Sequence, residues 1–137
     1  MPSPRRVIID PNVWISALIN PRGVPAQVVQ LVMAGDIVPL VTAELLNELG
    51  GVLQRPKFRR WIKLEDAVAF VDALRLHSET VETAPPTQTT RDPKDVYLVA
   101  MSEASGAQII TGDADLLDAE LQPPAVTPQQ FLATWNG

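Results

Sequence analysis

The first apolar run of the chain ends in an acid: it reads VIIDPN over residues 7–12. A similar arrangement returns far along the chain, where QIITGD covers residues 108–113. A short apolar run of β-branched residues that is closed by polar residues is typical of a buried strand in a parallel sheet. These stretches therefore predict two strands that each lead to a carboxylate, Asp10 and Asp113.

Between these stretches, short apolar runs alternate with amphipathic segments, as they do in βα units. Two more strands are expected, at residues 37–41 and near 80–81, and Pro39 favours an edge position or a bulge for the first of them. The whole pattern predicts an α/β fold, a three-layer α/β/α sandwich around a central parallel sheet of four or five strands.

Helices are expected at 12–19, 26–34, 43–53, 64–74, 93–105, after Asp113, and at 128–135. Thr42 and Thr127 are placed to cap two of them. One helix is apolar on every side over residues 96–101, which is typical of a core helix. Another carries apolar residues at helical spacing, which predicts one buried stripe made of Leu64, Ala67, Val68, Val71 and Leu74. The proline- and threonine-rich residues 83–93 are expected to form a surface loop.

Composition narrows the function classes. The chain has 137 residues with 46% hydrophobic content, which predicts one domain over residues 1–137. It contains no cysteine and one histidine, His77, so thiol chemistry and paired-imidazole sites are excluded. The amino-terminal residues do not form a signal peptide pattern and no apolar run suits a membrane span, so we expect a cytoplasmic protein.

Acids gather where the predicted strands end. Ligands of open parallel sheets bind outside the carboxyl ends of the strands, so these acids should converge if the first and last strands are neighbours: Asp10, Asp92, Asp95, Asp113 and Asp115. Several carboxylates in one crevice repel each other and favour a divalent cation. With oxygen ligands only, Mg²⁺ or Mn²⁺ fits best, and such sites suit the hydrolysis of phosphate esters.

Helix capping is the structural alternative for most of these acids. Asp92, Asp95, Asp113 and Asp115 all stand where a helix is expected to begin. Capping does not account for Asp10, which precedes Pro11. Glu48 lies near the edge of the buried stripe of its helix, where it either reaches inward or remains a solvated helix acid.

A basic stretch with interleaved aromatic residues follows the helix of Glu48. Five of the eleven lysine and arginine residues fall there: Arg55, Lys57, Arg59, Arg60 and Lys63. Phosphate contacts together with stacking on Phe58 and Trp61 would suit single-stranded nucleic acid. A solvated helix face with its aromatic residues in the core is the alternative.

Four motifs in this order resemble the PIN-domain family, and more narrowly the VapC-like ribonucleases that are toxins of bacterial toxin–antitoxin pairs. The motifs are Asp10–Leu18 (DPNVWISAL), Leu46–Leu49 running into Val52–Phe58, Asp92–Asp95 (DPKD), and Ala107–Leu117 (AQIITGDADLL). Together they span most of the chain.

The resemblance implies a metal-dependent endoribonuclease. Its catalytic acids would be Asp10, Glu48, Asp95 and Asp113, and its Mg²⁺ or Mn²⁺ ligands would be Asp10, Asp95, Asp113 and the accessory Asp115. Asn12 and Thr111 fall where the family keeps small polar residues beside the metal. A homodimer and a small antitoxin protein that blocks the site are also implied.

The sequence departs from the family at Pro11, where Thr or Ser is usual, and this predicts a weakened hydrogen bond in the site. A receiver domain is excluded because Asp10 has no acidic neighbour and no lysine follows Lys94. A haloacid-dehalogenase phosphatase is excluded because Asn12 replaces its second aspartate. A non-catalytic RNA- or protein-binding module on the same fold remains as the alternative function.

Overall fold

A computed structural model describes residues 4–135 of the protein. Its centre is a parallel sheet of four strands in the order β3-β2-β1-β4. The strands are β1 (Arg5–Ile9), β2 (Ile37–Val41), β3 (Glu79–Thr80) and β4 (Gln108–Ile110). Helices flank this sheet, so the predicted α/β fold with a central parallel sheet is confirmed. The ends of the predicted domain, residues 1–3 and 136–137, lie outside the described residues.

The helices begin where the sequence places their caps. The Thr42 side chain accepts a hydrogen bond from the Leu45 amide, and Thr127 forms a capping box with Gln130, as expected. The helices are α1 (Pro11–Ile19), α2 (Val24–Met33), α3 (Ala43–Leu53), α4 (Leu64–His77), α5 (Val96–Ser105), α6 (Ala114–Leu117) and α7 (Pro128–Thr134). Two 3₁₀ turns cover Pro56–Arg60 and Pro93–Asp95.

The first and last strands are neighbours. Ile9 pairs with Ile110, and the Asp10 amide donates to the Ile110 carbonyl at 3.0 Å. Because parallel strands end at the same edge of the sheet, the residues after β1 and β4 meet there. This adjacency brings Asp10 and Thr111 together although they are 101 positions apart in sequence.

Pro39 was expected at an edge position or a bulge, and β2 itself is not an edge strand, because it lies between β1 and β3. The Val41 carbonyl accepts from the Val81 amide, so odd-numbered residues of β2 point their backbone groups toward β3. β3 pairs only with Leu40 and Val41. Pro39 therefore lacks its amide on a side where no neighbouring strand reaches.

The predicted stripe of α4 is only partly buried. Ala67 and Leu74 are in the core, but Leu64 and Val68 are each 50% exposed. They line a groove of about 350 Å³ between α3 and α4, with Val71 at its wall. α4 therefore carries more apolar residues at helical spacing than the chain buries.

The core helix α5 is confirmed, since Leu98, Val99 and Met101 are almost fully buried. His77, the last residue of α4, is exposed. Within residues 4–135, no helix combines the length and apolar character that a membrane crossing requires.

Candidate active site

Asp10 is buried at the carboxyl edge of the sheet, with 3% of its surface exposed. One carboxylate oxygen accepts from the Asn12 amide at 2.9 Å and the other from the Thr111 hydroxyl at 2.7 Å. The first contact makes Asp10 the N-cap of α1, so the expectation that capping does not account for this residue is wrong. Asp10 is therefore both a cap and a buried acid in the crevice. Burial, together with the charges of Asp113 and Glu48, raises its pKa against the lowering effect of the two hydrogen bonds.

Pro11 does not remove a hydrogen bond from this arrangement. It occupies the first position of α1, where a backbone amide would have no partner within the helix. The hydroxyl contact to Asp10 comes from Thr111 instead. The weakened hydrogen bond expected at Pro11 stays a prediction.

Thr111 connects the ends of β1 and β4. Its fully buried hydroxyl donates to Asp10 and accepts from the Asp113 amide at 3.0 Å. The Asp113 carboxylate accepts from the Asp115 amide at 2.8 Å and caps α6. One hydroxyl thus fixes the relative positions of two acids. Asn12 is exposed beside this pair and contributes its backbone amide.

Asp95 is a second buried acid, next to the carboxyl group of Asp113. It is 9% exposed, and its Oδ2 atom is buried with no hydrogen-bond partner in the described residues. Burial and the adjacent carboxyl group of Asp113 raise the pKa of Asp95 to about 7, with smaller contributions from Asp10 and Asp92. A buried carboxylate oxygen that accepts no hydrogen bond and lies beside further carboxylates is able to bind a cation.

Glu48 reaches inward from the middle of α3. It accepts a hydrogen bond from the hydroxyl of Tyr97, the second residue of α5. Burial and the Glu48 carboxylate raise the pKa of Tyr97 above its ordinary value, so this phenol remains a donor. Glu48 is exposed, and its charge acts on Asp10. The inward-reaching alternative for Glu48 is therefore the one that the structure favours.

A second set of oxygens lies at the outer part of the crevice. Carboxylate oxygens of Asp92, Asp113 and Asp115 lie within 4.8 Å of one another. Asp92 also caps the 3₁₀ turn by accepting from the Lys94 amide. The Arg91 guanidinium bridges Asp115 at 3.0 Å and Asp118 at 3.3 Å. Asp113 therefore belongs both to this outer group and to the buried acids.

These residues fit a divalent cation. Their donor atoms are carboxylate oxygens, which Mg²⁺ and Mn²⁺ prefer, and their mutual repulsion is the charge that a cation offsets. The buried Oδ2 atom of Asp95 accepts no hydrogen bond from the described residues, so it is available to bind a cation. Among the described residues, the carboxylates close enough together to share one cation are Asp92, Asp113 and Asp115. Asp10 and Asp95 lie near Asp113, whose charge raises the pKa of both.

Comparison with known proteins agrees with this geometry. The model of the PIN domain family matches residues 6–115. The chain belongs to the PIN-domain family. It is 35% identical over 114 residues to the uncharacterized protein MJ1680 of Methanocaldococcus jannaschii, which covers 82% of this chain and 73% of that protein. The crystal structure of PAE2754 from Pyrobaculum aerophilum has the same fold, with a TM-score of 0.63 at 14% identity, over 96% of this chain and 88% of that one.

PIN domains are generally metal-dependent nucleases, and this PIN domain carries the carboxylate cluster that such an activity needs. Of the acids predicted to be catalytic, Asp113 belongs to the group within 4.8 Å. The charges of Asp113 and Glu48 act on Asp10, and those of Asp113 and Asp10 act on Asp95, and the catalytic role of these four acids stays a prediction. Asp92 is the addition: it joins Asp113 and Asp115 in the outer group, whereas the sequence analysis left it outside the metal ligands.

The basic stretch of the PIN domain contains one half-buried cation and four exposed ones. The Arg59 side chain folds back and donates to the Leu53 carbonyl at the end of α3, so it is half-buried and is not a free cation. Phe58 is buried beside it. The remaining cations, Arg55, Lys57, Arg60 and Lys63, are exposed.

Sequence reasoning missed two residues that act on the acids. Tyr97 sits in a helix that is apolar on every side, and nothing local distinguishes its hydroxyl as a partner for Glu48. Arg91 lies in the surface loop, and its contact with Asp115 depends on how that loop folds over α6. The adjacent DPKD motif was the signal that pointed to this segment.

Proposed function

We propose that this PIN domain is a Mg²⁺- or Mn²⁺-dependent endoribonuclease and the toxin of a type II toxin–antitoxin pair. The observation that supports the nuclease proposal is the group of acids around Asp113, where Asp95 is buried, its Oδ2 atom accepts no hydrogen bond from the described residues, and its pKa is raised to about 7. Such a group is unfavourable by itself and becomes favourable when a divalent cation is bound.

The protein's own residues position this site before any ligand arrives. Thr111 and the Asn12 amide fix both oxygens of Asp10, and the Asp115 amide fixes Asp113. Tyr97 holds the carboxylate of Glu48 at the other side of the crevice. Acids held in this way lose little conformational freedom when a divalent cation is bound.

The chemistry that a bound cation supplies is activation of a water molecule and neutralisation of the charge that develops on a phosphodiester during hydrolysis. Glu48 is the acid best placed to accept a proton at the crevice, because it is exposed and is oriented by the Tyr97 hydroxyl. Lys94 and Arg91 border the outer acids and would balance the charge of a phosphate backbone.

RNA as the substrate, a homodimer and a small antitoxin follow from the resemblance to VapC-like toxins. The groove between α3 and α4, with Leu64 and Val68 half-exposed, offers apolar surface that a protein partner would cover. Co-expression with the neighbouring reading frame, followed by the mass of the purified complex, tests both partners. A monomer that purifies alone would contradict them.

Cleavage of single-stranded RNA by the purified protein tests the activity. We expect cleavage with Mn²⁺ or Mg²⁺, none in excess chelator, and at least a hundredfold loss in Asp95→Asn or Asp10→Asn. Asp36→Asn is the matched control, because Asp36 is an exposed acid that precedes β2 at the opposite edge of the sheet. Cleavage that persists in chelator would contradict the proposal. RNA binding without metal-dependent cleavage would favour the non-catalytic binding module instead.

A further inference from the structure

Helices α3 and α4 form a hairpin whose tip, residues 54–63, carries free positive charge. Within residues 4–135, none of its four exposed cations forms an ion pair with a carboxylate: Arg55, Lys57, Arg60 and Lys63. The protein as a whole has a net charge of −5. A concentration of unpaired cations on an acidic protein indicates a local binding surface for anions.

The hairpin tip is held in one conformation by its other residues. Phe58 is 7% exposed and anchors the 3₁₀ turn in the core. Arg59 donates to the carbonyl of Leu53, the last residue of α3. The exposed cations therefore project from a fixed turn, which lowers the entropy cost of binding through them.

Trp61 adds an aromatic surface to this charge. It is 46% exposed, although a large aromatic side chain is usually buried. The Arg60 guanidinium lies 4.8 Å from its ring centroid, in a cation–π contact that holds the indole in place. A fixed, half-open indole between cations has the two features that single-stranded nucleic acid requires, a stacking surface and phosphate contacts.

The hairpin also connects the tip to the acids. α3 starts directly after β2, and α4 leads into β3, which pairs with the last two residues of β2. α3 therefore begins, and α4 ends, near the carboxyl edge of the sheet. Glu48 lies midway along α3, and Leu53 is about 7 Å further along the helix axis at 1.5 Å per residue. A nucleic-acid strand bound at the acids would pass Glu48 and extend along α3 to reach the tip.

We infer that the hairpin tip is a second contact site for single-stranded RNA, in which one unpaired base stacks on Trp61 and Lys57, Arg60 and Lys63 contact the flanking phosphates. The tip would select unpaired substrate, because a base within a duplex has no free face to offer the indole. This inference rests on the proposed function for its choice of RNA as the ligand.

Binding is measured in chelator, so that no RNA is cut, with a fluorescently labelled oligouridylate of about 12 nucleotides, either alone or annealed to oligoadenylate. Trp61→Ala should weaken binding of the single strand about tenfold and leave the duplex nearly unchanged. Trp61→Phe should restore most of the affinity, since a phenyl ring still stacks. Lys57→Ala and Lys63→Ala should weaken both ligands and each reduce the salt dependence for the single strand by about 0.7 in the logarithmic slope.

Two exposed residues outside the tip serve as controls. Arg22→Ala removes a cation that also lacks an ion pair in the described residues, and Leu76→Ala removes an apolar side chain that is 86% exposed. Both should bind like the unmodified protein. Equal single-strand affinity in Trp61→Ala and the unmodified protein would overturn the inference, as would equal losses for both ligands. An oligoglutamate peptide that binds through Trp61 when the oligouridylate does not would assign the tip to an acidic protein partner instead.

Cleavage assays separate this inference from the proposed function. If Trp61-dependent binding is found but no metal-dependent cleavage, the nuclease proposal fails and the contact site stands. If cleavage is found and Trp61→Ala binds and cuts like the unmodified protein, the contact site alone is wrong.

Discussion

At the scale of single residues, Thr111 fixes the relative positions of Asp10 and Asp113. Its hydroxyl group serves Asp10 and the Asp113 amide at once, inside a fully buried environment. Loss of that hydroxyl would leave a buried carboxylate oxygen and a backbone amide without their partner. Unsatisfied groups of this kind cost about 1–3 kcal/mol each.

Thr111→Val is therefore expected to lower the free energy of unfolding by about 2–6 kcal/mol in the presence of chelator, because valine keeps the shape but leaves both groups without a hydrogen bond. Urea unfolding measures the effect. Thr134→Val is the control, since Thr134 is exposed at the end of α7 and bonds only to carbonyls of its own helix. Equal, small changes in both variants would show that the Thr111 hydroxyl does not organise the site.

Asp95 is expected to make the metal-free protein less stable as the pH rises. Its pKa is about 7 in the folded protein, against roughly 4 in an unfolded chain. Below pH 4 both states hold the proton. Between pH 4 and 7 the unfolded chain releases the proton while the folded chain keeps it, so the contribution to stability falls and then stays constant above pH 7.

Asp95→Asn removes this titration and should therefore stabilise the metal-free protein, more near pH 8 than near pH 5. Thermal unfolding in chelator at the two pH values measures the difference. Asp36→Asn, at the other edge of the sheet, should change stability equally at both. A pH-independent gain in Asp95→Asn would contradict the raised pKa.

At the scale of elements, α3 contains two adjacent glycines, Gly50 and Gly51, which make a helix less stable than alanine would. A side chain at Gly51 would meet no atom within 4 Å, and its backbone is helical. Gly106 differs, because it ends α5 with a φ of 73°, in the left-handed region that alanine avoids.

Gly51→Ala should therefore stabilise the protein by about 0.5–1 kcal/mol, and Gly106→Ala should destabilise it by about 1 kcal/mol. Both are measured by urea unfolding of the same preparation. A loss of stability in Gly51→Ala would mean that α3 is not helical through this position.

Local signals explain which elements could be predicted from the sequence. The starts of α3 and α7 were predictable because Thr42 and Thr127 satisfy amides within one turn. The place of Pro39 was not, since it depends on how far β3 extends along β2. The burial of α4 was also not predictable, because helical spacing shows which residues share a face but not whether this chain covers that face.

At the scale of the whole molecule, the order of the strands makes the candidate site. Acids that follow two apolar runs were predictable as neighbours once those runs were interpreted as parallel strands, and the pairing of Ile9 with Ile110 brings them together. Contacts between distant segments were not predictable in this way. Tyr97 with Glu48 and Arg91 with Asp115 each require the folded arrangement of two helices or a loop.

The most direct test of a metal-binding acid cluster is the shift in melting temperature that Mn²⁺ produces in the unmodified protein and in Asp113→Asn. At a hundredfold excess over its dissociation constant, a bound ion stabilises the folded state by about 2.7 kcal/mol, which is several degrees for a chain of this size. Asparagine keeps the cap on α6 but removes the charge, so in chelator the variant should melt no lower than the unmodified protein. With Mn²⁺ we expect the full shift in the unmodified protein and in Asp36→Asn, and little or none in Asp113→Asn. A full shift in Asp113→Asn would contradict the assignment of Asp113 as a metal ligand, and no shift in the unmodified protein would contradict the metal site itself.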